Sequence, residues 1–264
     1  MAAAAALAQA RIGRFAIERE LGKGAQGAVY LAADTRLGRK VALKTLLASG
    51  DRAQLDGLLD EARIVSTLSH PNIVTLYDAG HGEHGPYLIL ELLHGETLAQ
   101  RLERGPLPGT EALRIAVEVA KGLAHAHGQG VVHRDLTPGN VFLCIDGRVK
   151  VLDLGMAHAF GRRKVEGGTP AYMSPEQRRG APEDERSDVF ALGVLLYRML
   201  SGELPSSCEE DAVVEGLGRA APPGLGQLIG RLLAADPVDR PRDAGEVLER
   251  LAEYRTDADD RRGD

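Results

Sequence analysis

Four groups of residues in this sequence have the chemistry to handle phosphate. Gly22-Lys23-Gly24-Ala25-Gln26-Gly27 puts three glycines where a backbone can come close to phosphate oxygens, a pattern that dinucleotide-binding sites share. A helix would follow the glycines in a dinucleotide site, whereas Ala28-Val29-Tyr30-Leu31-Ala32 reads as a strand and makes them the tip of a β-hairpin. A plain turn that holds no ligand fits the same six residues. Seventeen residues after Gly27, Lys44 ends the apolar run Val41-Ala42-Leu43. An ammonium buried in a strand needs an anion, and Glu61 is the candidate, although as a solvated surface glutamate it needs no explanation. His133-Arg134-Asp135-Leu136-Thr137-Pro138-Gly139-Asn140 comes next, and Asp153-Leu154-Gly155 begins thirteen residues beyond Asn140. Two carboxylates and an amide on loops at strand ends are hard oxygen donors, which is what Mg²⁺ requires beside phosphate oxygens.

The elements that must position these groups can be read from periodicity. Phe15 to Leu21, Ala28 to Ala32 and Lys40 to Leu46 alternate apolar and polar positions, which predicts an antiparallel meander. Leu58, Leu59, Ala62, Val65 and Leu68 have helical spacing, and strand-like runs return at Ile73 to Tyr77 and Tyr87 to Leu92. A helix is predicted around Leu113 to His127, with Thr110 as N-cap and Gly128 or Gly130 as the stop. Asp146-Gly147 marks a hairpin between Val141–Ile145 and Val149–Leu152. From Ser187 a helix is apolar nearly all round, and two more follow around Leu225–Ala235 and Asp243–Tyr254. Strands precede helices, which is an α+β order.

Composition limits the class. With 264 residues, 44% hydrophobic and 27% charged, the chain is long enough for a substantial core and unlike a disordered or membrane-embedded protein. A net charge of -6 argues against nucleic acid or an anionic membrane as the partner of the whole surface. The longest apolar stretch, Val189 to Leu200, falls short of the roughly 20 residues a membrane span needs. Two distant cysteines, Cys144 and Cys208, have no metal-type spacing and suit a cytoplasmic setting. His81 and His84 lack further ligands for a metal, and His125 and His127 point to different faces of their helix.

In order, the glycine loop, the strand lysine, the His-Arg-Asp loop with its asparagine and the Asp-x-Gly site resemble the protein kinase family. Gly168-Thr169-Pro170-Ala171-Tyr172-Met173-Ser174-Pro175-Glu176 is similar to that family's substrate-docking segment. The resemblance covers about residues 15 to 255, and the texture is similar to the eukaryotic-like Ser/Thr kinases of bacteria. It implies a bilobal α+β fold. The N-lobe, about 15–91, would be a small antiparallel sheet with one main helix. A hinge at about 91–95 would lead to a mainly helical C-lobe to about 255, with a flexible stretch 1–14 and a disordered charged tail 256–264 outside it.

The resemblance also implies roles. ATP would be held by Leu21, Gly22, Lys23, Gly24, Ala25, Gln26, Gly27, Ala28 and Val29. Val29, Ala42 and Phe142 would sandwich the adenine, with Leu90 as gatekeeper and the backbone of Glu91 to Leu93 reading its edge. Lys44, paired to Glu61, would hold the α- and β-phosphates. Asp153 and Asn140 would bind Mg²⁺, for which Mn²⁺ can substitute, and Asp135 would accept the proton of a protein Ser or Thr hydroxyl. Val65, Leu76, His133, Leu154 and Asp188 would form a spine, and Glu176 would pair with Arg240 beneath the substrate loop. Pro138 and the Gly-Thr-Pro segment point to Ser/Thr rather than Tyr acceptors.

Departures from the family pattern set further expectations. Thr137 stands where Ser/Thr kinases usually carry a lysine, which predicts reduced transfer and keeps a nucleotide-binding pseudokinase scaffold as the alternative. A small-molecule phosphotransferase is a more distant third. Residues 156–168 contain no Ser, Thr or Tyr, so activity is expected to be independent of phosphorylation there. Val165 occupies the usual phosphosite while Arg134, the usual receiver, is kept, and Glu166 is a candidate replacement partner. Arg162-Arg163-Lys164 suits either an acidic substrate or a solvated loop. Gly139 replaces an acidic residue with which some relatives read basic substrates, and Leu154 keeps the spine apolar where Phe is commoner.

Overall fold

The computed structural model describes residues 11–24, 27–46, 52–82, 85–155 and 170–260. The chain divides into two units: residues up to 69 with 74–94 in one, and 70–73, 95–155 and the chain from 168 in the other.

Among the described residues the first unit is a six-stranded antiparallel sheet with one helix. Strands β1 (Arg11–Ile12), β2 (Phe15–Gly24), β3 (Gly27–Asp34), β4 (Arg39–Leu46), β5 (Leu76–Gly82) and β6 (Gly85–Leu90) lie in the order β1-β2-β3-β4-β6-β5. Period-two alternation gives β4 two faces. Val41 and Leu43 join Ile12, Phe15, Ile17, Tyr30 and Ile89 on one side. On the other, Leu46, Leu76 and Leu88 pack against Ala62 and Val65 of α1 (Arg52–Ser66), two of the positions the spacing predicts. Residues 11–14 do not belong to a flexible stretch, because Ile12 is buried in this core and Arg11–Ile12 pairs with Phe15–Ala16. The run expected as a strand from Ile73 begins only at Leu76.

His70–Ile73 belongs to the second unit because its polar groups are satisfied there. Asn72 Nδ2 donates to Glu118 and to the Val149 carbonyl, each at 2.8 Å, and Ile73 bridges Val151. Asn72 packs so tightly on Gly122 that a Cβ there would lie 2.9 Å from the Asn72 carbonyl oxygen. The hinge boundary expected near residue 91 is therefore not the only place where the chain passes between units.

This second unit contains a small sheet, β7 (Gly95–Thr97), β8 (Val141–Cys144) and β9 (Val149–Val151), with Gly147 at φ 86° in the β8–β9 turn. Helix α2 (Leu98–Leu102) carries a Thr97–Gln100 capping box, and α3 (Gly109–His127) follows. Thr110 is not the α3 N-cap: the helix starts directly after Pro108, whose fixed φ suits an entry, with no side-chain cap. Then come α4 (Pro175–Arg179), α5 (Glu185–Ser201), α6 (Glu210–Leu217), α7 (Leu225–Leu232) and α8 (Ala244–Asp260). From Val189 to Leu200 every α5 residue except Arg198 is buried, as an all-round apolar helix requires. α8 runs to Asp260, past the expected boundary at 255, since no Gly or Pro interrupts Arg255–Asp260 and each added residue closes another hydrogen bond.

Candidate active site

In the sheet unit the glycine segment is a hairpin tip, with Gly22 opposite Val29, Lys23 opposite Ala28 and Gly24 opposite Gly27. Gly27 is dictated by the fold itself: at φ 146° a Cβ would stand 1.8 Å from the Thr45 carbonyl oxygen. Gly22 and Gly24 have nothing within 4 Å of a built Cβ, so the protein's own packing does not explain them. Leu21 beside them is an exposed apolar side chain. Val29 pairs with Lys44 and Lys44 with Leu88, while Ala42 pairs with Leu90, giving two adjacent rows across β3, β4 and β6. Lys44 is only 8% exposed and shares the α1 side of β4 with Leu46. Glu61, half-buried, precedes Ala62 on the α1 surface that packs on that side. Val65 and Leu76, the upper spine residues, meet in the same cluster. The Glu91 N–H bonds the Thr75 carbonyl at 2.9 Å, so the edge-reading assigned to residues 91–93 cannot use that donor. Leu93 follows, half-buried.

In the helical unit the His-Arg-Asp loop is suspended from one buried carboxylate. Asp188, on the first turn of α5 and 1% exposed, accepts the backbone N–H of His133 at 2.7 Å and of Arg134 at 2.8 Å. It also faces His127 Nε2 at 2.9 Å. His127 Nδ1 accepts the Ala244 N–H, so Nε2 is the protonated nitrogen and donates to Asp188. Burial alone would raise the Asp188 pKa, but His127, His133 and the backbone donors hold it below the ordinary value. These bonds hold Arg134 at φ 68°, one of two left-handed non-glycine residues among those described. Asp153, at φ 52°, is the other, and such conformations cost about 1–3 kcal/mol each.

The loop brings Asp135 and Asn140 together. Asn140 Nδ2 donates to the Asp135 carbonyl at 2.8 Å and to its carboxylate at 3.3 Å, so the acceptor that remains on the Asn140 side chain is its amide oxygen. The Asn140 carbonyl accepts the Leu152 N–H at 2.8 Å, and this fixes the chain one residue before Asp153. His133 uses both ring nitrogens internally, taking the Asp135 N–H on Nδ1 and giving Nε2–H to Leu152, so it is a core residue and not a proton shuttle. Thr137 enters the one-turn helix 138–140 with no side-chain cap bond, and Phe142 on β8 pairs with Thr97 and Lys150. Leu154 is buried, as a spine residue should be.

Below the segment 170–176, Arg240 and Glu176 form a two-pronged pair at 2.7 and 2.9 Å with side chains 0% and 6% exposed. Burial would raise the Glu176 pKa, yet Arg240, the residue's own backbone and the Ser174 and Ser187 hydroxyls bring it down to about 2. Ser174 caps α4 in a box with Gln177, and Gln177 Nε2 donates to the Arg134 carbonyl at 2.8 Å, tying the segment to the loop. Gln177 and His127 were not singled out by the sequence as supports, since a surface-type Gln and a helical His carry no spacing signal of their own. The positions Ala25, Gln26 and Thr169, with Arg162 to Glu166, lie outside the described residues.

A strand lysine in a sheet unit, together with an Asp-Asn loop pinned to a buried helical carboxylate, is the arrangement expected of a phosphotransferase of the kinase type. The protein kinase domain family model matches residues 15–249, and the chain belongs to that family. It is 39% identical to serine/threonine-protein kinase pkn2 of Myxococcus xanthus, covering 91% of this chain and 32% of that protein. To PknL of Mycobacterium bovis it is 36% identical, covering 91% and 66%. The chain therefore spans less than two thirds of the length of these relatives. The crystal structure of the Mycobacterium tuberculosis PknI kinase domain superposes with a TM-score of 0.78 at 27% identity, covering 93% of this chain and 98% of that one.

Proposed function

We propose that this chain is an ATP-dependent protein kinase domain that transfers the γ-phosphoryl group to Ser or Thr hydroxyls of proteins. The observation that carries the proposal is the Asp135–Asn140 pair on a loop whose His133 and Arg134 amides Asp188 holds, with Arg134 in a left-handed conformation. The residues fit the implied ligands. Gly22 and Gly24 leave space that a phosphate can use, and Asp153 with the Asn140 amide oxygen would offer Mg²⁺, or Mn²⁺ in its place, an all-oxygen donor set. When bound, the metal supplies charge neutralisation on the β- and γ-phosphates.

The chain's own residues do the rest. Lys44, with Glu61 as its anion, would hold the α- and β-phosphates. Leu21, Val29, Ala42 and Phe142 would offer apolar surface to the adenine. Asp135, with its carboxylate oriented by Asn140, would accept the acceptor's hydroxyl proton, and the Glu176–Arg240 pair would keep the acceptor-side segment in place. Among the described residues no helix is long and apolar enough to cross a membrane, which is compatible with the cytoplasmic setting we infer. The test is transfer from γ-labelled ATP·Mg²⁺ to a Ser/Thr-rich acceptor. Wild type should label it and Asp135→Asn should not; labelling by both would refute the assigned base.

Thr137 favours a second reading, a nucleotide-binding scaffold with weak transfer. Restoring a cation with Thr137→Lys should raise kcat severalfold or more, given that one preorganised donor is worth about 2.7–4 kcal/mol elsewhere. An unchanged kcat would remove Thr137 as a reason for that reading.

A further inference from the structure

Arg198 is the exception on α5. It is the one residue between Val189 and Leu200 that is not buried, and its guanidinium emerges beside the acceptor-side segment. It donates to the Tyr172 hydroxyl and lies 6.0 Å from the centre of that ring. Tyr172 is 3% exposed, and burial raises its pKa despite the opposing pull of Arg198, so the hydroxyl is neutral and leaves the cation unbalanced. Among the described residues no carboxylate lies within ion-pair distance of Arg198. A guanidinium has five N–H donors in a fixed fork, and the Tyr172 oxygen accepts from only one nitrogen.

The surroundings have the same sign. Arg178 and Arg179, exposed on α4, have no ion-pair carboxylate among the described residues, and Arg178 Nε holds the Met173 carbonyl. Glu176 is the only acidic residue from 170 to 180, and it is buried against Arg240. With Gly at position 139, Asp135 is the only carboxylate between His133 and Asn140. A half-buried cation without a counter-ion gains most from a charged acceptor that completes its hydrogen bonds.

We infer that Arg198 selects acceptor chains bearing an anionic group, a carboxylate or a phosphate, close to the phosphorylated hydroxyl. The inference rests on the protein-kinase reading and adds a specificity-determining residue to it. The test uses one Ser-centred peptide series with Glu, phosphoserine, Ala or Lys at flanking positions, each made also with Ala replacing the acceptor Ser. Binding of the Ala-centred set is read by fluorescence anisotropy, and kcat/KM on the Ser-centred set by label transfer.

Wild type should favour the Glu or phosphoserine peptide over the Lys peptide by about tenfold or more in both readouts, and the better of the two identifies the anion. Arg198→Glu should reverse the order, and Arg198→Lys should largely keep it. Equal binding of all peptides by wild type, or a uniform loss in Arg198→Glu with the order unchanged, would overturn the inference. Selective binding without transfer to any peptide would leave the anion site standing and refute the kinase reading instead.

Discussion

Replacing Arg240 with methionine keeps much of the side-chain volume but leaves Glu176 buried without its counter-ion. The pair is fully desolvated on the arginine side, has two short bonds, and is braced by Arg240 contacts to the Ala234, Ala235 and Arg186 carbonyls and the Phe190 ring. Removing one partner of such a pair costs about 3–5 kcal/mol. The same bonds, with the residue's own backbone and the Ser174 and Ser187 hydroxyls, hold the Glu176 carboxyl at about 2 against the ordinary 4.5, which at about 1.4 kcal/mol per pH unit links about 3 kcal/mol of stability to its ionisation. Because the folded value is depressed, this stability is fully present above pH 4.5 and is lost as pH falls from 4.5 towards 2. The protein has no tryptophan, so urea unfolding should be followed by far-ultraviolet circular dichroism. Arg240→Met should lose about 3–5 kcal/mol at pH 7 and about 1 kcal/mol less at pH 4. Adding Glu176→Gln should recover part of the loss, as coupled residues do. A loss below about 1 kcal/mol, or one that does not shrink on acidification, would refute the assignment of the pair as the clamp beneath the segment.

Other outcomes follow from the same geometry. Asp188→Asn removes the charge that two loop amides share, and kcat should fall at least tenfold with a much smaller change in the KM for ATP, measured by steady-state kinetics. Gly27→Ala should lower stability by about 1–3 kcal/mol, whereas Gly22→Ala should leave Tm nearly unchanged and raise the KM for ATP. His70 stacks on His125 with ring centres 5.0 Å apart; burial, His125, Lys121 and Lys150 lower its pKa while Glu118 opposes them. Its folded value lies below the unfolded one, so stability should decrease as pH falls below about 6.5, and His70→Gln should flatten that dependence in thermal unfolding.

Phe15 to Leu46 could be read as a meander from the alternation of its runs, and β2, β3 and β4 do pair antiparallel, but the register shifts at Ile17–Arg19 and Glu20–Gly22 of β2 have no signal in that alternation. The positions of Asp135, Asn140 and Asp153 were legible as an ordered motif, but the reason they hold their shape was not. The bonds from Asp188 span 54 and 55 residues, and no local pattern encodes a partner at that distance. The transfer of His70–Ile73 to the helical unit was illegible for the same cause: Ile73 to Tyr77 is apolar enough for a strand, but Asn72 commits its side chain to Val149, 77 residues away. Ile12 shows the converse, a single apolar residue in a polar neighbourhood that packing alone makes structural. Helix α6 escaped notice because Glu210–Leu217 buries only Val213 and Leu217, too few to set a period.

The burial of α5 on nearly every side has a consequence for how the His-Arg-Asp loop opens. A helix buried on nearly every side has little to hold it on a partly folded surface, so α5 is stabilised by the neighbours that close around it. Asp188 stands on its first turn and accepts the His133 and Arg134 amides. The loop that carries Asp135 thus depends on the helix it hangs from, and opening of that helix should release it. In amide hydrogen exchange, the His133 and Arg134 protons should therefore exchange no more slowly than the central amides of α5, with which they share a single opening event.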